Sequence, residues 1–516
     1  MLGWIVGMGQ RSDIHRVLAR LRDIKRVPRS RTSRLWRFSV NSLAQISGQL
    51  APLVVAAITV PVLYRRLSGS NFGIFTLSIT AISFFSVMDF GIGRSTVRFI
   101  SRAIARADRA EAKLIAAHAM LYLGGLSLFL TAAFVIAVPS ATAGWFVKSG
   151  HVSIRVRDVI YMLAAVIPFV GITSVFRSIL EAEEKFTTIA RIQAAMGALT
   201  YGLPLILSLY VPDIRIVVLG AVVARVLGFL AYGSCVRCFW AEGSWPNFSP
   251  PANWEFLRFT GWMIVSNVMG NGLAYADRAV LARFIPLNRL PFYNVPLEFL
   301  TRLMLVVNGT ISVAFPFLSR ISAEQVRLSK AHLVAMTTLS VCVPPGLLLC
   351  SIAAPIGLRV WLGDAFALHS TEIVRILLVG LMFLSFNAFS LASLNARGVS
   401  RGIALMQAGE APVYLWALWH FGTLYGMEGL AVVWTARTIV EFAGFTVLQT
   451  LETPRYRSYL LGALIVLLES VPLVLLATVG WMVLSIVACV AFAIVSAFLL
   501  RSALRLSVVG AAKNAT

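Results

Sequence analysis

Charge is scarce in this sequence, and negative charge scarcest. Asp, Glu, Lys and Arg make up 13% of the 516 residues, and the 22 acidic side chains are outnumbered by 45 basic ones. Ordinary soluble domains carry about a quarter charged residues, so a water-facing surface of normal polarity is excluded. Cysteine is limited to five residues, with one CxxC at Cys235-Val236-Arg237-Cys238. No second pair or nearby His completes it, which argues against structural zinc. The six histidines (His15, His118, His151, His332, His369 and His420) are scattered and form no metal set. There is no P-loop to cradle phosphates, no Gly-rich dinucleotide turn, no HExxH and no nucleophile elbow. The chain therefore reads as neither an ATP-driven machine nor an enzyme, with no cofactor and no metal. A cleavable leader is not expected either: MLGWIVGMG is short, and the basic run follows it instead of preceding it.

What is abundant is apolar sequence, 58% of residues. A membrane span needs about 20 apolar residues, and by that criterion the chain holds about fourteen. Their centres lie near Leu53, Ile82, Leu128, Ile167, Leu199 and Leu227, then Val268, Leu305, Val343, Met382, Met406, Val440, Val466 and Val487. The expected fold is an all-α polytopic membrane protein. The connections are too short for a soluble domain.

The net charge of +23 would suggest nucleic acid in a soluble protein. Here Lys and Arg sit between spans, so topology and contact with anionic membrane lipid account for it, and no nucleic-acid partner is expected. Basic connections alternate with poorer ones: Arg94 to Lys113, Lys185 to Arg191, Arg237 to Arg258, Arg320 to Lys330, Arg397 to Arg401 and Arg455 to Arg457 fall on one side. The positive-inside rule then puts both termini in the cytoplasm. Residues 1–36 form a basic tail in which Val17, Leu18, Leu21 and Ile24 recur at helical spacing. Such a segment either lies on the inner leaflet as an amphipathic helix or is a disordered start.

The pattern also repeats. Gly220-Ala221-Val222-Val223-Ala224-Arg225 in the sixth span matches Val432-Val433-Trp434-Thr435-Ala436-Arg437 in the twelfth, and Leu63–Phe75 lies on Leu281–Tyr293 without gaps. Copies with even span counts share orientation and are related by an axis along the membrane normal. The expected organisation is a six-helix lobe (37–240), a connection (241–257), a second six-helix lobe (258–452) around a central cavity, and two further spans with a short tail (453–516).

Charges inside apolar spans are costly and normally face a cavity or one another. Arg225, Arg302 and Arg437 lie well inside spans, and Arg278 lies nearer an end. The guanidinium fork matches phosphate oxygens, so these four are candidates to hold an anionic head group. Pairing with Glu298, Glu441 and Asp277 at short spacing is the other reading, and both can hold. Asp277, Glu298, Glu410 and Glu441 are the candidates for ion coupling, since a buried carboxylate can take up and release a cation. Asn41, Gln45 and Gln49 share a face of the first span, for sugar hydroxyls or for helix–helix hydrogen bonds.

Several segments carry a family resemblance: Leu63–Phe75 (LYRRLSGSNFGIF), Met88–Phe99 (MDFGIGRSTVRF), Asp277-Arg278, Leu281-Ala282-Arg283-Phe284, Phe292-Tyr293 and Phe315–Arg320. Over roughly Arg37 to Glu452 the chain resembles the polysaccharide transport branch, the Wzx-type oligosaccharide flippases, of the multidrug/oligosaccharidyl-lipid/polysaccharide exporter superfamily. The turn Ile285-Pro286-Leu287-Asn288 and Pro291 depart from the Gly-Pro-Glu-like turn and the Gly usual there. The resemblance implies a bacterial inner-membrane transporter that flips polyprenyl-pyrophosphate-linked oligosaccharide for O-antigen, capsule or exopolysaccharide, coupled to a proton or sodium gradient. It also implies polymerase and glycosyltransferase partners. A drug exporter of the same superfamily and a multispan polymerase or ligase remain the alternatives; short outer connections disfavour the second.

Overall fold

The computed structural model describes residues 51–478, apart from 68, 88–91, 146–153, 242–268, 271, 305–306, 309–310, 312–324, 398 and 452–456. The basic tail, Asn41, Gln45, Gln49, the 242–257 connection and the span around Val487 lie outside the described residues.

The described residues form helices and no strand. The first group is α1 (51–66), α2 (Gly69–Val87), α3 (Ile92–Ala105), α4 (Arg109–Trp145), α5 (Ile154–Ala182), α6 (Phe186–Tyr210) and α7 (Ile214–Ala241). The second is α8 (272–284), α9 (Pro291–Arg302), α10 (Gln325–Leu362), α11 (Asp364–Arg397), α12 (Ser400–Leu451) and α13 (Arg457–Thr478). Seven described helices are long and apolar enough to cross a membrane. Their outer faces show large apolar residues such as Leu128, Phe129, Ile136, Ile356 and Trp416. That is the inverse of a water-soluble surface and suits a hydrocarbon solvent.

One element differs from the sequence expectation. The stretch from Arg94 was read as a basic connection, but Ile92–Ala105 is the helix α3. Ser95, Thr96, Phe99, Ile100 and Ala103 recur at helical spacing and are buried, while Arg98 and Arg102 face out. The segment is thus an amphipathic helix beside the bundle. α12 holds the two spans expected around Met406 and Val440, since its 52 residues would extend about 78 Å if straight, against a hydrocarbon core of about 30 Å. It breaks at Gly426, where φ 60° and ψ −132° suit only a residue without Cβ. The two arms then run back along each other. A Cβ on Gly444 would meet Met406, and one on Gly402 would meet Leu448, as an antiparallel hairpin requires.

Helices pack mainly within their own group. In the first, α5 lies against α2, α3, α4, α6 and α7. In the second, α11 lies against α9, α10, α12 and α13 and is buried along most of its length. Small and polar groups hold that second centre together. Thr435 Oγ1 donates to the Ile376 carbonyl (2.9 Å), Asn387 Nδ2 to the Thr438 carbonyl (2.9 Å), and Gly380 faces Trp434. In hydrocarbon, where apolar contact alone gives helices no advantage over lipid, such close approach and hydrogen bonding supply the adhesion. The groups meet where α9 packs on α2.

Candidate functional site

A cavity of about 610 Å³ opens in the first group. Its mouth, by Ser86, Gly93, Arg177 and Glu181, lies at the helix ends that carry the basic connections. Its depth reaches Thr200, Tyr201, Arg225 and Arg302. Every described lining residue comes from the first group except Arg302, which α9 inserts from the second.

The wall is built from helical periodicity. On α5, Thr173, Ser174, Arg177, Ser178 and Glu181 fall on one polar stripe that faces the cavity. Thr173, Ser178 and Thr200 donate their hydroxyls to backbone carbonyls of their own helices at 2.6–2.8 Å. Their lone pairs are left to accept hydrogen bonds from a guest. Gln193 adds an amide.

The cations are held differently. Arg177 Nε donates to Glu181 Oε1 at 3.0 Å, one turn away at the mouth. Arg302 donates through Nη2 to Glu298 Oε1 (2.8 Å) and to the Tyr201 hydroxyl (3.2 Å), with its guanidinium 5.9 Å from the Tyr201 ring centroid. Arg225 lines the depth with no carboxylate partner among the described residues, and its buried Nε meets no hydrogen-bond acceptor. Among the described residues the lining therefore holds three guanidinium groups against one carboxylate, Glu181, with Glu298 behind Arg302. Even with Glu298 included, it is cationic.

Beyond Arg302 and Tyr201 lies a second, smaller chamber of about 50 Å³. It shares Ile79, Tyr201 and Arg302 with the large cavity and adds Thr76, Thr80, Asn294, Glu298 and Trp361. Asn294 is buried, and both its amide atoms lack a partner among the described residues.

The other candidates lie elsewhere, buried inside the second group. Arg437 sits between two carboxylates, donating through Nε to Glu410 Oε1 at 3.1 Å and through Nη2 to Glu441 Oε1. Tyr414 lies under its guanidinium, 5.1 Å from centroid to Cζ. Asp277, fully buried, accepts from the Tyr293 hydroxyl (2.7 Å). Arg278 stands 3.6 Å from Asp277, donates to the Ala274 carbonyl (3.0 Å) and lies over Tyr275. Arg437, Arg278, Asp277, Glu410 and Glu441 line neither chamber.

The structure thus brings Arg225, Arg302 and Glu298 together and sets Arg437 and Arg278 apart from them. Sequence reasoning passed over Tyr201, Gln193 and the α5 stripe. The i, i+4 recurrence of Thr173, Arg177 and Glu181 in an apolar span was the available signal. Tyr201 had none, because its role depends on a helix from the other group.

Comparison with known proteins follows the same lines. The family described as "Polysaccharide biosynthesis protein" matches residues 38–322. A protein of Shigella flexneri named "Putative O-antigen transporter" is 25% identical over 402 residues, 78% of this chain and 95% of the relative. Among solved structures, an inward closed conformation of the lipid II flippase MurJ superposes with a TM-score of 0.64 at 14% identity, covering 90% of this chain and 99% of that one. An inward-facing multidrug resistance MATE family transporter of the MOP superfamily gives 0.59 at 16% identity, over 83% and 95%. The structural likenesses share the fold. The names attached to these relatives are those of transporters and flippases, not enzymes.

Proposed function

Because this chain belongs to the polysaccharide biosynthesis protein family, we propose that it is the membrane transporter that flips a lipid-linked oligosaccharide across the bacterial inner membrane. The observation that carries this reading is the cationic cavity with Arg225 at its depth and Arg302 inserted from the second group. A cargo joined to its lipid through pyrophosphate brings the complementary charge. Guanidinium forks bind phosphate oxygens by paired, charge-assisted hydrogen bonds. The hydroxyl and amide groups of Thr173, Ser178, Gln193 and Thr200 offer partners to sugars, while a polyprenyl chain stays in lipid. A cationic drug would meet a repelling field, so the drug-exporter reading is disfavoured.

The two packing groups support two lobes, 37–240 and 258–452, with α13 of the 453–516 segment packed against α10, α11 and α12 of the second. Rocking of the lobes about an axis in the membrane plane would alternate access. The cavity mouth shares its end of the bundle with the basic connections, so it faces the cytoplasm under the positive-inside rule, with both termini on that side. The energy source in this reading is an ion gradient. Glu410 and Glu441 share one guanidinium, so a proton or monovalent cation taken up there neutralises a surplus buried charge. Glu298 and Asp277 are already engaged by Arg302 and Tyr293 and contribute less. Polymerase and glycosyltransferase partners would act before and after the flip.

The test uses a strain lacking the gene, with surface polysaccharide and inner-face lipid-linked oligosaccharide measured at equal protein levels. Arg225→Ala and Arg302→Ala should each abolish surface glycan and accumulate the intermediate inside. Normal export with both variants would overturn the cavity mechanism. Glycan lost with the intermediate stalled outside would point to a polymerase.

A further inference from the structure

Helix α9 presents three polar side chains at one-turn intervals, Asn294, Glu298 and Arg302, and all three line the small chamber. Two of them have partners. Arg302 Nη2 donates to Glu298 Oε1 at 2.8 Å and to the Tyr201 hydroxyl at 3.2 Å. Asn294 does not. It is 2% exposed, and neither its amide N–H groups nor its carbonyl meets a partner among the described residues. A buried donor and acceptor left unmet cost stability, which a guest offering the complementary pair recovers.

The rest of the wall narrows the choice of guest. Thr76 and Thr80 donate their hydroxyls to the Gly73 and Thr76 carbonyls, each at 2.9 Å, so toward a guest they can act only as acceptors. Apolar groups complete the wall, among them Ala56, Val295 and the ring pair Phe299–Trp361, whose centroids lie 5.0 Å apart. A space of about 50 Å³ has room for about three or four waters and too little for a sugar ring. An acetamido group fits all three demands. Its N–H and C=O answer the amide and the hydroxyl lone pairs, and its methyl covers the apolar wall. A hydroxyl of the same reach would leave that wall uncovered, and an ammonium would face Arg302.

The place of the chamber relative to the cations agrees. Ile79, Tyr201 and Arg302 line both spaces, so the chamber is a side pocket of the large cavity. Asn294 lies one turn from Glu298, which holds the Arg302 guanidinium, so amide and guanidinium stand about 6 Å apart along the helix axis. On an acylamino sugar phosphate the nitrogen and the phosphate ester occupy neighbouring ring carbons, a separation of that order. A phosphate that draws Arg302 from Tyr201 opens the partition, while the ring stays in the large cavity. We propose that the small chamber is a subsite for the N-acyl group of the sugar that carries the diphosphate, so that the cargo begins with an N-acetylated amino sugar. This deepens the transport reading and rests on it.

The experiment is calorimetry on the purified full chain with two probes, N-acetylglucosamine 1-phosphate and glucose 1-phosphate. The acetylated compound should bind about tenfold or more tightly, because a site built for hydrogen bonds rejects an analogue that lacks them. Asn294→Ala should bring the two affinities together by lowering the first. That variant orphans no polar partner, so its unfolding temperature should not fall. Ala56→Leu fills the chamber from α1 and should have the same effect without touching Asn294. Equal affinities in the unmodified protein, or a preference that survives Asn294→Ala, would overturn the subsite and leave the chamber to water. Arg225→Ala tests the underlying reading, since it should weaken both probes together and keep their ratio. Unchanged affinities in that variant, with the preference intact, would sink the role of Arg225 and keep the subsite. Binding of neither probe to the unmodified protein would sink both.

Discussion

Arg225 and Arg437 each follow an alanine well inside a long apolar helix, α7 and the second arm of α12. Their surroundings differ. Arg225 faces a cavity and has no carboxylate partner among the described residues, whereas Arg437 is clasped by Glu410 and Glu441 with little of its side chain exposed. The first is free to receive an anion. The second is already neutralised, and its cluster carries one negative charge in surplus when all three groups are ionised. An arginine in a membrane is thus a guest site or a strut according to what the opposing helices present.

The largest expected effect tests the strut. Arg437→Ala leaves two buried carboxylates without their counter-ion, and breaking a buried pair in this way costs about 3–5 kcal/mol. Thermal unfolding in detergent and membrane abundance should both fall sharply. Adding Glu410→Gln and Glu441→Gln to the same variant should restore much of the loss, since the orphaned charges are then gone. Abundance that stays normal in Arg437→Ala would erase the contrast between the two arginines.

The guest site should behave in the opposite way. Arg225→Ala orphans no carboxylate, so abundance and unfolding should stay near the unmodified values while export is lost. Arg225→Lys should recover part of the export, because the charge returns without the fork. A drop in abundance for Arg225→Ala as large as that for Arg437→Ala would make both arginines structural.

Smaller effects sharpen the picture at Arg302. Tyr201→Phe removes one hydrogen bond between the groups, about 1 kcal/mol, and should change the rate of export by less than Arg302→Ala does. A double-mutant cycle with Arg302→Lys should show coupling of about 0.5–1.5 kcal/mol; additivity would mean the contact is idle. The smallest effect is at the mouth. The Arg177–Glu181 pair is partly exposed, so losing it should cost less than about 0.5 kcal/mol of stability. Glu181→Ala also removes the one carboxylate of the lining among the described residues and should tighten binding of inorganic pyrophosphate, measured by calorimetry on the purified protein.

Much of this was legible in the chain itself. Long apolar runs with interposed Arg and Lys dictated membrane helices and their alternation, because hydrocarbon tolerates no unpaired backbone and little charge. The same costliness of buried charge singled out Arg225, Arg302, Arg437 and the carboxylates. Spacing even foresaw two pairs one turn apart, Glu298 with Arg302 and Arg437 with Glu441. It misjudged Ile92–Ala105, where basic residues masked a helix with a buried face, and it passed over the polar stripe of α5.

What the sequence determined by itself, then, was local: which segments are helical, where they cross, and which side chains are too costly to leave unexplained. Only the tertiary structure decided which charges share a space. The meeting of Arg302 with Tyr201, 101 residues away, of Arg437 with Glu410, 27 residues away, and of Gly73 with the Leu287 carbonyl depends on how helices cross. Helical periodicity states which way a side chain points from its own axis, and packing alone states what stands opposite.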